Sequence, residues 1–136
     1  MIVARLIRVL VAVAAVALVG LPACYTSGPS RFRFVAAVDT IVVPDTVKVT
    51  DTLFVGLRGV IAYDGCGQYD GLTRTRNAGA ISYTVYGLHD DRRICVESLI
   101  LFNRVDTVPP PQVNPTVITA VQPKGAFPAS RTVIVK

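Results

Sequence analysis

The chain has no tryptophan, one histidine and one methionine, and only three of its 136 residues are cysteine. Each scarcity removes an option. With His89 as the only imidazole, a centre built on several histidines is out of reach. Three cysteines without a Cys-x-x-Cys pair disfavour a zinc ribbon or a dithiol redox motif. Hydrolysis by a Ser-His-Asp arrangement would have to use His89, which sits beside Asp90 and Asp91. The serines at 27, 30, 82, 98 and 130 occupy no Gly-x-Ser-x-Gly context. A long apolar run is missing too. The longest, Val9 to Leu21, has 13 residues, about 20 Å of helix, against the roughly 20 residues that span a bilayer core.

What is present at the amino terminus has a different logic. Arg5 and Arg8 supply positive charge with no acidic residue nearby, a short apolar stretch follows, and Leu21-Pro22-Ala23-Cys24 ends it. A basic n-region, a short h-region and small residues before a break describe a secretory signal peptide over residues 1–23. Leu21-Pro22-Ala23-Cys24 resembles the lipobox of bacterial lipoproteins: an aliphatic residue, a tolerant position, a small residue, then cysteine. Pro22 is the less usual element of the match. The resemblance covers only the first 24 residues. It implies that Cys24 receives a diacylglycerol thioether, that the signal is cleaved before it, and that the new amino terminus gains a further acyl chain such as palmitate. Two or three chains hold far better than one, since each buried methylene contributes about 0.8 kcal/mol. The implied location is the bacterial cell envelope, facing periplasm or exterior, with membrane lipid as the first partner. Tyr25, where the family's inner-membrane members often carry Asp, points to the outer membrane.

Removal of the signal leaves 113 residues with 12 basic and 9 acidic side chains, a net of +3. That is one domain of modest core, and too weak a charge to suggest nucleic acid. With Cys24 committed to lipid, Cys66 and Cys95 are left to pair, as export through an oxidising compartment favours.

Residues 24–35 read as the lipidated cysteine and a tether, with Tyr25 to Ser30 rich in turn formers. From residue 36 onward Val, Ile and Thr dominate, punctuated by Gly and Pro, which favours strands. Asp-Thr recurs at 39, 45 and 51, three copies at a six-residue spacing, too few for a solenoid. On one continuous strand those carboxylates would share the face of Ile41, Val43, Val47, Val49 and Leu53. Burying them unpaired is too costly, so the chain must turn near Pro44-Asp45 and Thr50-Asp51. Leu53 to Ile61 alternates cleanly, as do Leu72 to Arg76 and Ile81 to Tyr86. "YDGCGQYDG" (63–71), with two Asp-Gly pairs, has the chemistry of a loop, and Leu88 to Asp91 that of a polar hairpin. Arg93 to Phe102 fits either a helix or a strand; its β-branched content favours strand. "PPPQVNP" (109–115) is a loop, and residues 116–121 and 131–135 close the fold.

Seven or eight short antiparallel strands with turns about every ten residues is the pattern of a β-sandwich. Residues 36–136 resemble an immunoglobulin-like sandwich in a generic way. The chain departs from antibody domains in lacking Trp and in the short Cys66 to Cys95 spacing, so no functional residue carries over.

The candidate binding residues are few. Arg74, Arg76, Arg92, Arg93 and Arg104 would form a basic patch if their strands were neighbours, suited to anionic polysaccharide, lipid headgroups or an acidic envelope protein. Their default role is protection of exposed strand edges. Tyr63 and Tyr69 flank the 63–71 stretch and offer aromatic surface, or serve at the edge of the core. Asp64 and Asp70 supply oxygens there, without the EF-hand spacing. The reading that follows is a non-catalytic binding or structural module needing no cofactor. A calcium- or carbohydrate-binding module using residues 63–71 is the alternative, and a hydrolase using His89 a further one.

Overall fold

The computed structural model describes residues 30–136; Cys24 and residues 1–23, the expected signal peptide, lie outside the described residues. Among the described residues every regular element is a strand: β1 (Arg31–Val35), β2 (Ala37–Val42), β3 (Thr46–Val47), β4 (Leu53–Asp64), β5 (Gly67–Asn77), β6 (Ala80–Asp90), β7 (Glu97–Val108), β8 (Thr116–Ala120) and β9 (Ala129–Val135). They make two sheets, a small β-sandwich. β2, β4 and β7 form the three-stranded sheet. In the other, β5 lies along β6, and the opposite edge of β6 is shared. β8 pairs with its first residues, 80–83, and β1 with its last, 86–90; β9 and β3 extend the sheet beyond β8.

The alternation read from the sequence fills the space between the sheets. Leu53, Val55 and Leu57 of β4 face Ile81, Tyr83 and Val85 of β6, with Ile118, Val133, Phe102 and Val108 completing a core in which these are 5% exposed or less. Each such aliphatic side chain contributes roughly 1.5–3 kcal/mol by leaving water. The Asp-Thr stretch breaks where the carboxylate cost demands, between β2 and β3 and again before β4. Ala36, 1% exposed, is the crossing point at which the chain leaves one sheet for the other, its N–H donating to Val85 O at 2.9 Å.

Several local expectations need correction. Residues 31–35, assigned to the tether, are β1, because Arg31–Val35 finds the vacant edge of β6 beyond the short β8. Among the described residues the strands number nine rather than seven or eight, and two pairings, β3 with β9 and β6 with β8, are parallel. The second follows from the path: β7 carries the chain to the far end, and the proline-rich loop returns it beside Ala80, running the same way as β6. The stretch 63–71 is no loop. Only Gly65 and Cys66 turn, and the second Asp-Gly is a bulge inside β5, with Asp70 unpaired and Gly71 at φ 138°, a value that L side chains rarely adopt. Residues 88–90 continue β6 instead of turning, since Leu88 and His89 pair with both β1 and β5. Residues 93–96 are irregular; the strand expected over 93–102 begins at Glu97.

Candidate functional site

Strand register puts chemically diverse groups at one end of the sandwich, where the described chain begins. Arg31 pairs with Asp90, Gly67 with His89 and Asp64 with Glu97, so the tips of β1, β4, β5, β6 and β7 meet there. Cys66 and Cys95 form a disulfide whose Cα atoms are 5.0 Å apart, as their pairing in the sequence suggested. It fastens the 91–96 connection to the β4–β5 turn, helped by the Gly65 N–H donating to Val96 O at 2.7 Å.

His89 occupies the centre of this end. Its Nε2 donates to Asp64, 3.0 Å from each carboxylate oxygen, and its Nδ1 lies 2.8 Å from Asp91 Oδ1. The second contact is off the N–H axis, a charge contact rather than a directed hydrogen bond. The imidazole is 17% exposed and stacks on Phe32 at 5.3 Å between centroids. Its hydrogen bond to Asp64, and the charges of Asp64 and Asp91, raise its pKa above 6.5 despite the opposing effect of burial. The same bond holds Asp64 below the ordinary carboxylate range. Ser30 Oγ donates to Asp91 Oδ2 at 3.1 Å, and Asp91 N–H donates to Ser30 O at 2.9 Å. The order of contacts is therefore Ser30–Asp91–His89–Asp64. The serine meets a carboxylate instead of the imidazole, and both ring nitrogens face acids, so no ring lone pair is directed at a hydroxyl.

Two groups here have metal-ligand composition: Asp64 with Cys66 and Cys95, and His89 with Asp91 and Cys95, each with donor atoms within 4.8 Å of one another. The bonded sulfurs have no thiolate to offer. The donors left are Asp64, Asp91 and His89, whose charges already oppose one another. Asp70, the other acidic residue of the 63–71 stretch, points elsewhere and pairs with Arg33 at 2.7 Å.

The arginines do not gather into one patch. Arg92 and Arg93 lie at the His89 end, where Arg92 grips both oxygens of Asp90 at 2.7 Å and holds that carboxyl well below its usual range. Arg74 and Arg76 sit toward the other end of β5; Arg76 is nine residues beyond Gly67, about 30 Å along the strand. Arg74 Nη1 donates to Asp106 Oδ2 at 2.6 Å and to Thr107 O at 2.8 Å, while Arg76 donates to Pro109 O and Pro111 O. Both reach from the edge of one sheet to the edge of the other and occupy main-chain acceptors on and after β7. Edge protection is thus what Arg74 and Arg76 do here. Tyr83 O–H donates to Asp106 at 2.9 Å, and burial pushes the phenol up from its usual pKa. Arg104 lies over the ring of Tyr69 at 4.4 Å. Tyr63, 78% exposed, is separate from that pair and marks the His89 end.

Two features escaped the sequence reading. Gln122 caps β2: its Oε1 accepts from Val38 N–H at 3.0 Å and its Nε2 donates to Val38 O at 2.6 Å. Nothing in Gln122-Pro-Lys-Gly signals this, because the two residues are 84 positions apart. The second is Ile94, 95% exposed, in a segment that the sequence favours as strand and that is irregular over 93–96. No family model, curated protein or solved structure matches the chain.

Proposed function

We propose that the protein is a lipoprotein of the bacterial cell envelope, held to a membrane, most simply the outer one, through acylated Cys24, with its sandwich serving as a non-catalytic binding or structural module. Leu21-Pro22-Ala23-Cys24 carries the reading, coming after a basic and then an apolar stretch too short to span. Its support from the folded part is positional. The described residues begin at Ser30, six positions beyond Cys24 and so within about 20 Å of it along the chain, which would hold the body close to the surface to which the cysteine would fasten it. The non-catalytic half of the reading is supported by His89, whose two nitrogens face Asp64 and Asp91. Arg74 and Arg76 are committed to the molecule's own main chain, which leaves an envelope protein a better fit as a further partner than an anionic polysaccharide gripped by those two residues. Intact-mass analysis of the membrane fraction tests the anchor. The mature chain should begin at Cys24 and carry two or three acyl groups, and Cys24→Ala should accumulate as uncleaved precursor. A cleaved wild-type chain without acyl mass would refute it.

A further inference from the structure

The His89 end displays an apolar tip whose exposure the fold does not require. Ile94 is 95% exposed, Tyr63 78% and Val96 62%, and Phe32, stacked on His89 at the same end, is 49% exposed. A mobile loop could bury such side chains against its own domain. This one is prevented from doing so. The Cys66–Cys95 bridge, the Gly65–Val96 bond and the Arg92–Asp90 pair fix the backbone on both sides of Ile94 and hold the side chain outward. Arg92 and Arg93 precede Ile94 directly, and Arg93 has no carboxylate partner among the described residues. Cations beside an aliphatic and an aromatic residue suit the boundary between headgroups and acyl chains, where long basic side chains keep their charge in water while their stems lie along apolar surface.

Position selects the occupant. Asp91, three residues before Ile94, is bonded to Ser30 through both main chain and side chain. The tip therefore sits at the point where the chain leaves toward Cys24. Six residues reach at most about 20 Å, so a body tethered there holds this end nearest the surface. A second exposed apolar region, on the outer face of β4 and β7 (Phe54, Leu101, Val105), runs along the side of the sandwich, where a short tether does not bring it to the bilayer.

We infer that the stapled 92–96 tip, with Tyr63, is a membrane-contact surface that inserts Ile94 at the boundary between headgroups and acyl chains and fixes the orientation of the tethered domain. The inference rests on acylation at Cys24. The absence of tryptophan makes the test direct. Full-length Ile94→Trp protein, and Val113→Trp protein labelled at the opposite end, would be placed in phosphatidylethanolamine–phosphatidylglycerol vesicles with and without brominated acyl chains, after mass analysis of the anchor. The expected result is a blue-shifted emission from the Ile94→Trp protein that loses most of its intensity to bromine, with the Val113→Trp protein unshifted and unquenched. An acylated Ile94→Trp protein that is not quenched overturns the inference and leaves the anchor standing. A chain without acyl mass overturns both. A blue shift that follows protein concentration instead of lipid assigns the tip to a second copy and overturns the membrane contact.

Discussion

At the end where the described chain begins, strand tips are joined by an imidazole between two carboxylates and by a disulfide. At the opposite end, Arg74 and Arg76 donate to Asp106 and to the carbonyls of Thr107, Pro109 and Pro111, and Gln112 Nε2 donates to Val108 O at 3.0 Å and Asp51 O at 3.2 Å. Both ends face the same problem: strands of two separate sheets must stop together, and main-chain groups there need partners. The far end solves it with guanidinium and amide donors on main-chain carbonyls and on the Asp106 carboxylate. The near end solves it with groups that respond to pH and to reductant. One sandwich thus has an end clamped by arginine and glutamine side chains and an end that adds a disulfide and an imidazole, which respond to their surroundings.

The largest effect that separates the two ends is reduction. The bridge spans 29 positions, for which the chain-entropy argument gives about 3 to 4 kcal/mol. Cys66→Ala with Cys95→Ala should lower the thermal midpoint by many degrees, and hydrogen exchange should accelerate first over 91–96 and the β4–β5 turn. Equal acceleration around Gln112 would dissolve the distinction between the ends.

Next in size is the far clamp. Arg74→Ala leaves Asp106, 25% exposed at its side chain, with Tyr83 as its remaining partner and frees Thr107 O on an exposed edge. Loss of a charge-assisted hydrogen bond of this kind costs about 1.5–3 kcal/mol, and the deficit measured by denaturant melts should be the same at pH 5 and pH 8. A free edge on β7 should also raise aggregation on heating.

The smallest effect carries the sign that defines the near end. His89 has a raised folded-state pKa, so its contribution is fully present below about 6.5 and is lost as pH rises through the folded value. Asp64 has a lowered one, so its contribution is present above about 3.8 and is lost as pH falls through its folded value. The stability difference between wild type and His89→Gln should be greatest between those limits, around pH 5, and shrink toward alkaline pH. Because His89 is the sole histidine, its ring protons report the titration without ambiguity, and the midpoint should lie above 6.5 and fall in Asp64→Asn. A midpoint at or below 6.5 would remove the titratable link.

Much of the sandwich was legible because alternation is a local property. Leu53, Val55 and Leu57, and Ile81, Tyr83 and Val85, announce their buried faces within a few residues. The turns at Pro44-Asp45 and Thr50-Asp51 follow from carboxylates that cannot be buried unpaired. Asp-Gly misled at 64–71 because the pair serves a bulge as readily as a turn, and which one forms depends on the strand opposite. His89 read as a hairpin residue because polar residues at a strand tip look like a loop until their partners from other strands are known. A single patch of arginines stayed conditional in the sequence, with edge protection as the default, because the sequence has no scale for the distance between the ends of β5.

The amino-acid sequence by itself determined the class of the fold, the positions of most strand cores and the lipobox-like Leu21-Pro22-Ala23-Cys24, each of which rests on periodicity, composition or a contiguous motif; the pairing of Cys66 with Cys95 followed from it only with Cys24 assigned to lipid, and the structure shows the bridge. Only the tertiary structure decided which acceptors Arg74 and Arg76 occupy, that Gln122 caps β2, that His89 lies between Asp64 and Asp91, and that Ile94 stands outward. These depend on register between strands far apart in the chain, and register is set by the summed burial of whole faces, which no short stretch of sequence contains.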